Sequence, residues 1–284
     1  CEALAHTDLR DEIAKIQIPV LIIAGSADPV TTVADGQFMQ QQIHGATLAE
    51  IAAEYPGSLC LRDGADGPLP SALYDFPLPD LSLAQPDGIT QQPEIPVDRV
   101  VAILFTSGST GRPQAQRKTW GKLVANVEAG AQALGLAHMP QHIVATVPAQ
   151  HSYGFESSFL PALQAASPFW AGKPFYPQDI TAALAAVPRP RLLVTTPFHL
   201  ATLLDAGIDI PALDGIVSAT APLAPELAVR AETALGAPLL EIYGSTESGQ
   251  LASRRPTQDT AWTLLAGVRL EDAAGQILAS GRHV

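Results

Sequence analysis

From Val100 onward the chain repeats one pattern: a short, continuous apolar run, then a stretch with helical periodicity. The runs are "VVAILF", "HIVATVP", "RLLVTTP", "GIVSATAPL" and "PLLEIYG". Between them lie Trp120–Leu134, "DITAALAAV", "FHLATLLDAG" and "APELAVRAETALG". A strand that is apolar on both sides has to be covered on both faces. The pattern therefore predicts an α/β fold: a mostly parallel sheet with helices on both faces. Val100–Phe105 is expected as a strand, Asp179 as a helix cap, and Gly207 and Gly236 as helix ends. In such sheets ligands collect at the carboxyl ends of the strands, so the loops there are where chemistry is expected.

The preceding residues differ. Residues 1–53 read as helix, strand (Val20–Ala24), turn and a short helix closed by Gly45. Residues 54–98 are rich in Pro, Gly and Asp and read as turns. The predicted division is 1–50, 51–98 and 99–284.

Composition narrows the function classes. Of 284 residues, 47% are hydrophobic and 15% charged, which permits a sizeable core and argues against global disorder. A formal charge of −12 lacks the basic face a general nucleic-acid binder needs. Two cysteines, Cys1 and Cys60, make no disulfide framework. No stretch has the length of a membrane span, and no signal pattern opens the chain, so a cytoplasmic protein is expected. The start at Cys1 and the end at "ASGRHV" suggest a fragment.

Two loops carry the chemistry. Thr106–Gly111, "TSGSTG", follows a buried strand and precedes a helix. Gly108 and Gly111 allow close backbone approach to an anion, and the hydroxyls of Thr106, Ser107, Ser109 and Thr110 can donate to phosphate oxygens. A flexible Ser/Gly linker has the same composition; the position after a strand favours the phosphate loop. The Gly-Lys-Ser/Thr spacing of the nucleotide-hydrolase loop is absent. The second loop, "EIYGSTESG" at Glu241–Gly249, offers the aromatic face of Tyr243, the Thr246 hydroxyl and the Glu247 carboxylate. These suit a base, a phosphate and a Mg²⁺ ion. Each residue alone fits an ordinary polar turn; both loops in one α/β pattern are far more specific.

Together these stretches resemble the signature motifs of the adenylate-forming superfamily: acyl-CoA synthetases, aryl-acid ligases and adenylation domains. "LFTSGSTGRPQ" is similar to its phosphate loop and "YGSTESG" to its Tyr-Gly-x-Thr-Glu motif. "SATAPL" at Ser218–Leu223 resembles its adenine-lining turn. "PAQHSYGFE" at Pro148–Glu156 resembles its aromatic gate. The resemblance covers roughly Thr47–Val284. "GRPQAQRKTWG" and "SYGFESS" are more narrowly similar to the standalone ligases of aryl-polyene and xanthomonadin-type pigment clusters.

The resemblance implies a truncated large N-terminal domain of an adenylate-forming enzyme. It also implies ATP-dependent activation of a carboxylic acid, aromatic or similar, to an acyl-adenylate. Capture would follow by the thiol of coenzyme A (CoA) or of a carrier-protein phosphopantetheine, so an acyl carrier protein is a possible partner. Thr106, Ser107, Gly108, Ser109, Thr110 and Gly111 would hold the β- and γ-phosphates. Thr246 would contact the α-phosphate and Glu247 the Mg²⁺. Tyr243, with Gly244, would stack on adenine, above Ala219, Thr220, Ala221 and Pro222. His151 would sit near the acyl carboxylate; its alternative is a histidine merely bonded in a loop. His199 reads as structural, and Phe155 and Phe198 as core or pocket wall. Gln114 stands where the family loop places a lysine, and Lys118 or Arg117 would compensate from the next turn. The family's ribose-binding Asp motif, hinge and C-terminal lysine are not in the sequence, so an inactive nucleotide-binding module is an alternative.

Cys1–Gly45 resembles the carboxyl-terminal part of an α/β-hydrolase of the 3-oxoadipate enol-lactonase type. There Asp28 would be the triad acid, but no Gly-x-Ser-x-Gly nucleophile elbow occurs in the chain. The junction is expected near His44–Ala53, by natural fusion or decay of a gene, or by artificial joining of two frames.

Overall fold

The computed structural model describes residues 59–62, 74–77, 94–106, 114–149 and 151–284. The expectations for Asp28, for the first fifty residues and for Ser107–Gly111 lie outside them. Two compact units are present: Cys1–Pro93 with Ser107–Gln114, and Glu94–Thr106 with Ala115–Val284.

In the first unit, strands β1 (Leu59–Arg62) and β2 (Tyr74–Pro77) pair in parallel, Leu59 opposite Tyr74. This region reads as turns in the sequence. Each strand has only four residues, so the Gly, Pro and Asp around it dominate any window.

In the second unit, β3 (Val100–Thr106) pairs with β4 (Gln114–Thr119). The predicted strand at Val100 is present, but among the described residues it belongs to this separate pair and not to the main sheet. Val100 and Val101 are exposed on it. Arg117 and Lys118, expected on a turn, lie on β4.

Helix α1 (Trp120–Ala133) leads to β5 (His142–Ala145). A helical segment follows, made of α2 (Ser152–Gly154), a π-helical turn (Phe155–Phe159) and α3 (Leu160–Gln164). Then α4 (Pro177–Ala186), β6 (Arg191–Thr195), α5 (Pro197–Asp205), β7 (Gly215–Ser218), α6 (Pro225–Leu235) and β8 (Leu239–Ser245) alternate. Helices α4, α5 and α6 each open on proline, whose fixed φ suits the first helical position and whose missing N–H costs nothing there. Asp179 is not the cap of α4. It sits three residues after Tyr176, the N-cap, and accepts its backbone N–H at 3.3 Å. Gly236 ends α6 with φ +63°, where a side chain would be strained.

The sheet runs β10-β9-β8-β7-β6-β5. Strands β5 to β8 are parallel; β9 (Gly249–Arg254) folds back antiparallel on β8, and β10 (Thr263–Leu264) pairs with β9. Alternation along the parallel strands sorts the core. Leu193, Ile216 and Leu239 pack with α4, α5 and α6 through Leu184, Leu200 and Ala228. Leu192, Val194 and Val217 face the other way, with Ala131 of α1, Leu136 and Tyr153. Both faces are thus covered, as the apolar runs require. A last hairpin joins β11 (Arg269–Ala273) to β12 (Gln276–Ser280).

Candidate functional site

Beyond the carboxyl ends of β7 and β8 lies a cavity of about 250 Å³. Three segments line it: residues 151–156, Ala219–Thr220, and residues 242–250.

The strand β8 does not simply run into a loop. Residues 246–248 are the turn of a hairpin to β9, and the register shifts at Tyr243/Gly244. A Cβ on Gly244 would come within 2.2 Å of the Gly249 carbonyl oxygen, so only glycine fits this crossing. The hairpin presents Tyr243 outward, 57% exposed, with its ring tilted on Trp262 at 5.6 Å. The Arg254 guanidinium lies over Trp262, 4.4 Å from its centroid. Arg254 also pairs with Glu241 at 2.7 Å, and the other oxygen of Glu241 accepts the Leu223 N–H at 3.1 Å. That contact fastens the end of the Ala219–Pro222 turn. Within this turn Ala219 is buried, Thr220, Ala221 and Pro222 are exposed, and Thr220 has φ +79°. A threonine at such a φ costs of order 1–3 kcal/mol, strain that clusters at ligand sites.

Thr246 and Glu247 occupy the hairpin turn. The Thr246 hydroxyl donates to Ser152 Oγ at 3.0 Å, which joins the hairpin to the segment after β5. The exposed Glu247 is held through its main chain: Lys118 Nζ, buried, donates to its carbonyl at 3.1 Å. Burial is the main influence lowering the Lys118 pKa. His151 stands at the start of α2, its Nδ1 accepting the Tyr153 N–H at 3.3 Å, and burial lowers its pKa. The Tyr153 hydroxyl donates to the Val217 carbonyl at 3.1 Å.

Below these residues is a buried polar floor. Glu156, on the π-helical turn, is 5% exposed, and its Oε1 has no partner. Burial pushes its carboxyl up to about 7, against the tempering effect of Asn126 and Lys118. Gln250 Nε2 donates to Ser157 Oγ and its backbone N–H to Asn126 Oδ1, each at 3.1 Å.

The structure therefore brings His151, Ala219, Thr220, Gly244 and Thr246 to one cavity, with Tyr243 and Glu247 on the same hairpin and Lys118 behind it. Of the phosphate-loop residues it describes only Thr106, which ends β3. His199 has the structural part expected: its N–H and Nδ1 contact Thr196 Oγ1, at 3.3 and 2.8 Å, at the start of α5. Phe155 stacks on Phe159 against the α1 core. Phe198 is 68% exposed, and so is not core. Sequence reasoning missed Ser152, Glu156, Gln250 and Trp262. Glu156 had one signal, a charge inside the aromatic run "YGFESSF".

Comparison with known proteins gives four findings. Fifty-five N-terminal residues are 67% identical to 3-oxoadipate enol-lactonase 1 of Acinetobacter baylyi, covering 19% of this chain and 21% of that protein. A 172-residue stretch is 34% identical to a 4-coumarate–CoA ligase of Rhodobacter capsulatus, over 58% of this chain and 42% of that protein. The chain thus spans less than half the length of the curated relatives it matches. Among solved structures, the o-succinylbenzoate–coenzyme A synthetase of Bacillus subtilis, in complex with ATP and magnesium, superposes with a TM-score of 0.69. At 19% identity, over 84% of this chain and 53% of that one, it shows the shared fold. The AMP-binding enzyme family matches residues 14–280, and the chain belongs to that family.

Proposed function

We propose that this site belongs to a ligase that activates a carboxylic acid with ATP and passes the acyl group to a thiol. A carboxylate oxygen attacks the α-phosphorus, pyrophosphate leaves, and the acyl-adenylate then acylates CoA or a phosphopantetheine. The observation that carries the reading is the Thr246–Ser152 hydrogen bond, which draws both motif segments around one cavity.

Tyr243 offers an exposed ring for adenine, opposite the Ala219–Pro222 turn. Thr246 takes the α-phosphate, and Thr106–Gly111 the β- and γ-phosphates. His151, at the mouth, handles the acyl carboxylate. The protein has little covalent work; positioning and charge stabilisation do most of it. Among the described residues no group of three His, Cys, Asp or Glu could hold a metal by itself. Mg²⁺ suits the exposed Glu247 all the same, because that ion is commonly held by one or two carboxylates together with substrate phosphates, whose charge it neutralises. An aromatic acid is supported by the similarity to ligases named for 4-coumarate and indoleacetate. No helix among the described residues is long and apolar enough to cross a membrane.

The test is carboxylate-dependent ATP–pyrophosphate exchange across a panel of aromatic acids. Exchange that requires an acid and falls on Thr246→Val supports the reading. ATP binding without exchange for any acid replaces it with a nucleotide-binding module.

A further inference from the structure

We infer that Trp262 is a positioning residue for the nucleotide: held by Arg254, it keeps the Tyr243 ring in the attitude on which the base stacks. The inference rests on the ligase reading above, and within it on the base lying at Tyr243.

Three neighbouring strands bring these side chains together. Glu241 and Tyr243 are two apart on β8, so they share a face of the sheet. Arg254 stands opposite Glu241 on β9, and Trp262 immediately precedes β10, whose Thr263 pairs with Ser253. Exposure rises along the set. The Glu241 side chain is 5% exposed and that of Arg254 22%, whereas Trp262 is 38% and Tyr243 57% exposed. Support therefore passes outward from Glu241 to Arg254, then to Trp262, then to Tyr243.

Every nitrogen of the Arg254 guanidinium is engaged. Nε and one terminal nitrogen lie 2.7 Å from the same Glu241 oxygen, and the other terminal nitrogen donates to the Thr260 carbonyl at 3.0 Å. The guanidinium carbon is 4.4 Å from the Trp262 centroid, inside the roughly 6 Å of a cation–π contact. Arg254 thus grips Trp262 by its ring and by the main chain two residues earlier. The Trp262 ring meets Tyr243 at 5.6 Å and 52°, within the separation of about 4.5–7 Å at which aromatic pairs attract. A ring more than half exposed, left alone, samples several rotamers, and stacking a base on it costs the entropy of fixing one. Trp262 removes that cost beforehand. If the Arg254–Trp262 pair served only to secure the start of β10, its loss would act on the nucleotide without regard to Tyr243.

The test is calorimetric binding of AMP to the full chain and its variants, each checked for folding by circular dichroism. Trp262→Ala is expected to weaken AMP binding about three- to tenfold, the worth of an aromatic pair, and Trp262→Phe should restore most of it. Tyr243→Ala should weaken binding too, and Trp262→Ala added to it should change nothing further. Trp262→Leu, which keeps apolar bulk without an aromatic ring, replaces an alanine variant that fails to fold and carries the same expectation. Emission gives a second readout. Of the three tryptophans, Trp120, Trp170 and Trp262, the last should carry the change on AMP binding, so Trp262→Phe should abolish it. AMP affinity unaltered by Trp262→Ala, a loss just as large without Tyr243, or an emission change that survives Trp262→Phe overturns the inference and leaves the ligase reading standing. If Tyr243→Ala leaves AMP affinity unchanged, the base lies elsewhere and the inference falls with that placement. No AMP binding at all overturns both.

Discussion

Lys118 Nζ donates to the main-chain carbonyl of Glu247 at 3.1 Å, across 129 positions of sequence. The lysine holds the backbone of the motif turn and leaves the Glu247 carboxylate free to point outward. Its other neighbour is the Glu156 carboxyl, for which it is the nearby positive charge. Lys118→Met removes both contacts. A hydrogen bond from a charged donor contributes roughly 1.5–3 kcal/mol. The variant is expected to lose about that much stability, seen as a lower urea midpoint at unchanged slope. Its ATP affinity should fall as well, and unchanged affinity would show that the turn keeps its shape without Lys118.

The Thr246–Ser152 bond is tested by a double-mutant cycle. Thr246→Val and Ser152→Ala each remove one hydroxyl. If the two hydroxyls serve each other, the coupling energy should be about 0.5–1.5 kcal/mol. A coupling near zero in the unfolding free energies would mean the motif segments are held together by other contacts.

Glu156 makes a prediction in pH. Its folded pKa, about 7, lies above the ordinary carboxylate value, so between those values the folded chain holds a proton that the unfolded chain has released. Its contribution to stability is full below the unfolded pKa and is lost as pH rises through about 7. The lowered pKa values of His151, His199 and His283 act oppositely, removing stability as pH falls below the ordinary histidine value. Subtracting the Glu156→Gln profile isolates the carboxyl. Native stability relative to that variant should decline from pH 5 to pH 8, by on the order of 3 kcal/mol in all. A flat difference would mean the carboxyl is solvated.

Gly154 lies where the helical segment leaves Pro148. A Cβ there would come within 2.2 Å of the Pro148 carbonyl oxygen, a backbone atom with no rotamer to escape into. Gly154→Ala is expected to cost about 1–3 kcal/mol despite the better helix propensity of alanine, because overpacking against backbone forces a shift. A stabilised variant in thermal unfolding would show that the π-helical turn can slide without penalty.

Much of the parallel sheet was legible because its strands are apolar on both sides and its helices carry clear end signals, as at Gly236. What escaped had short or antiparallel geometry. β1 and β2 are four residues each, and β9, "GQLASR", alternates too weakly to announce a hairpin. At the site, Thr246, Glu247 and Tyr243 could be read because glycines and hydroxyls cluster around them. Glu156, Gln250 and Trp262 could not, because their role depends on what is packed above them. Lys118 was read for its charge; its partner is a carbonyl, which no sequence pattern marks.

Glu241 reaches in two directions, to the Leu223 N–H and to Arg254, which in turn lies over Trp262 beneath Tyr243. One carboxylate, 4% exposed, therefore fastens the Ala219–Leu223 turn and the aromatic pair to the same strand. Its loss would loosen both at once, so a disordered turn and a displaced ring pair would share a single origin.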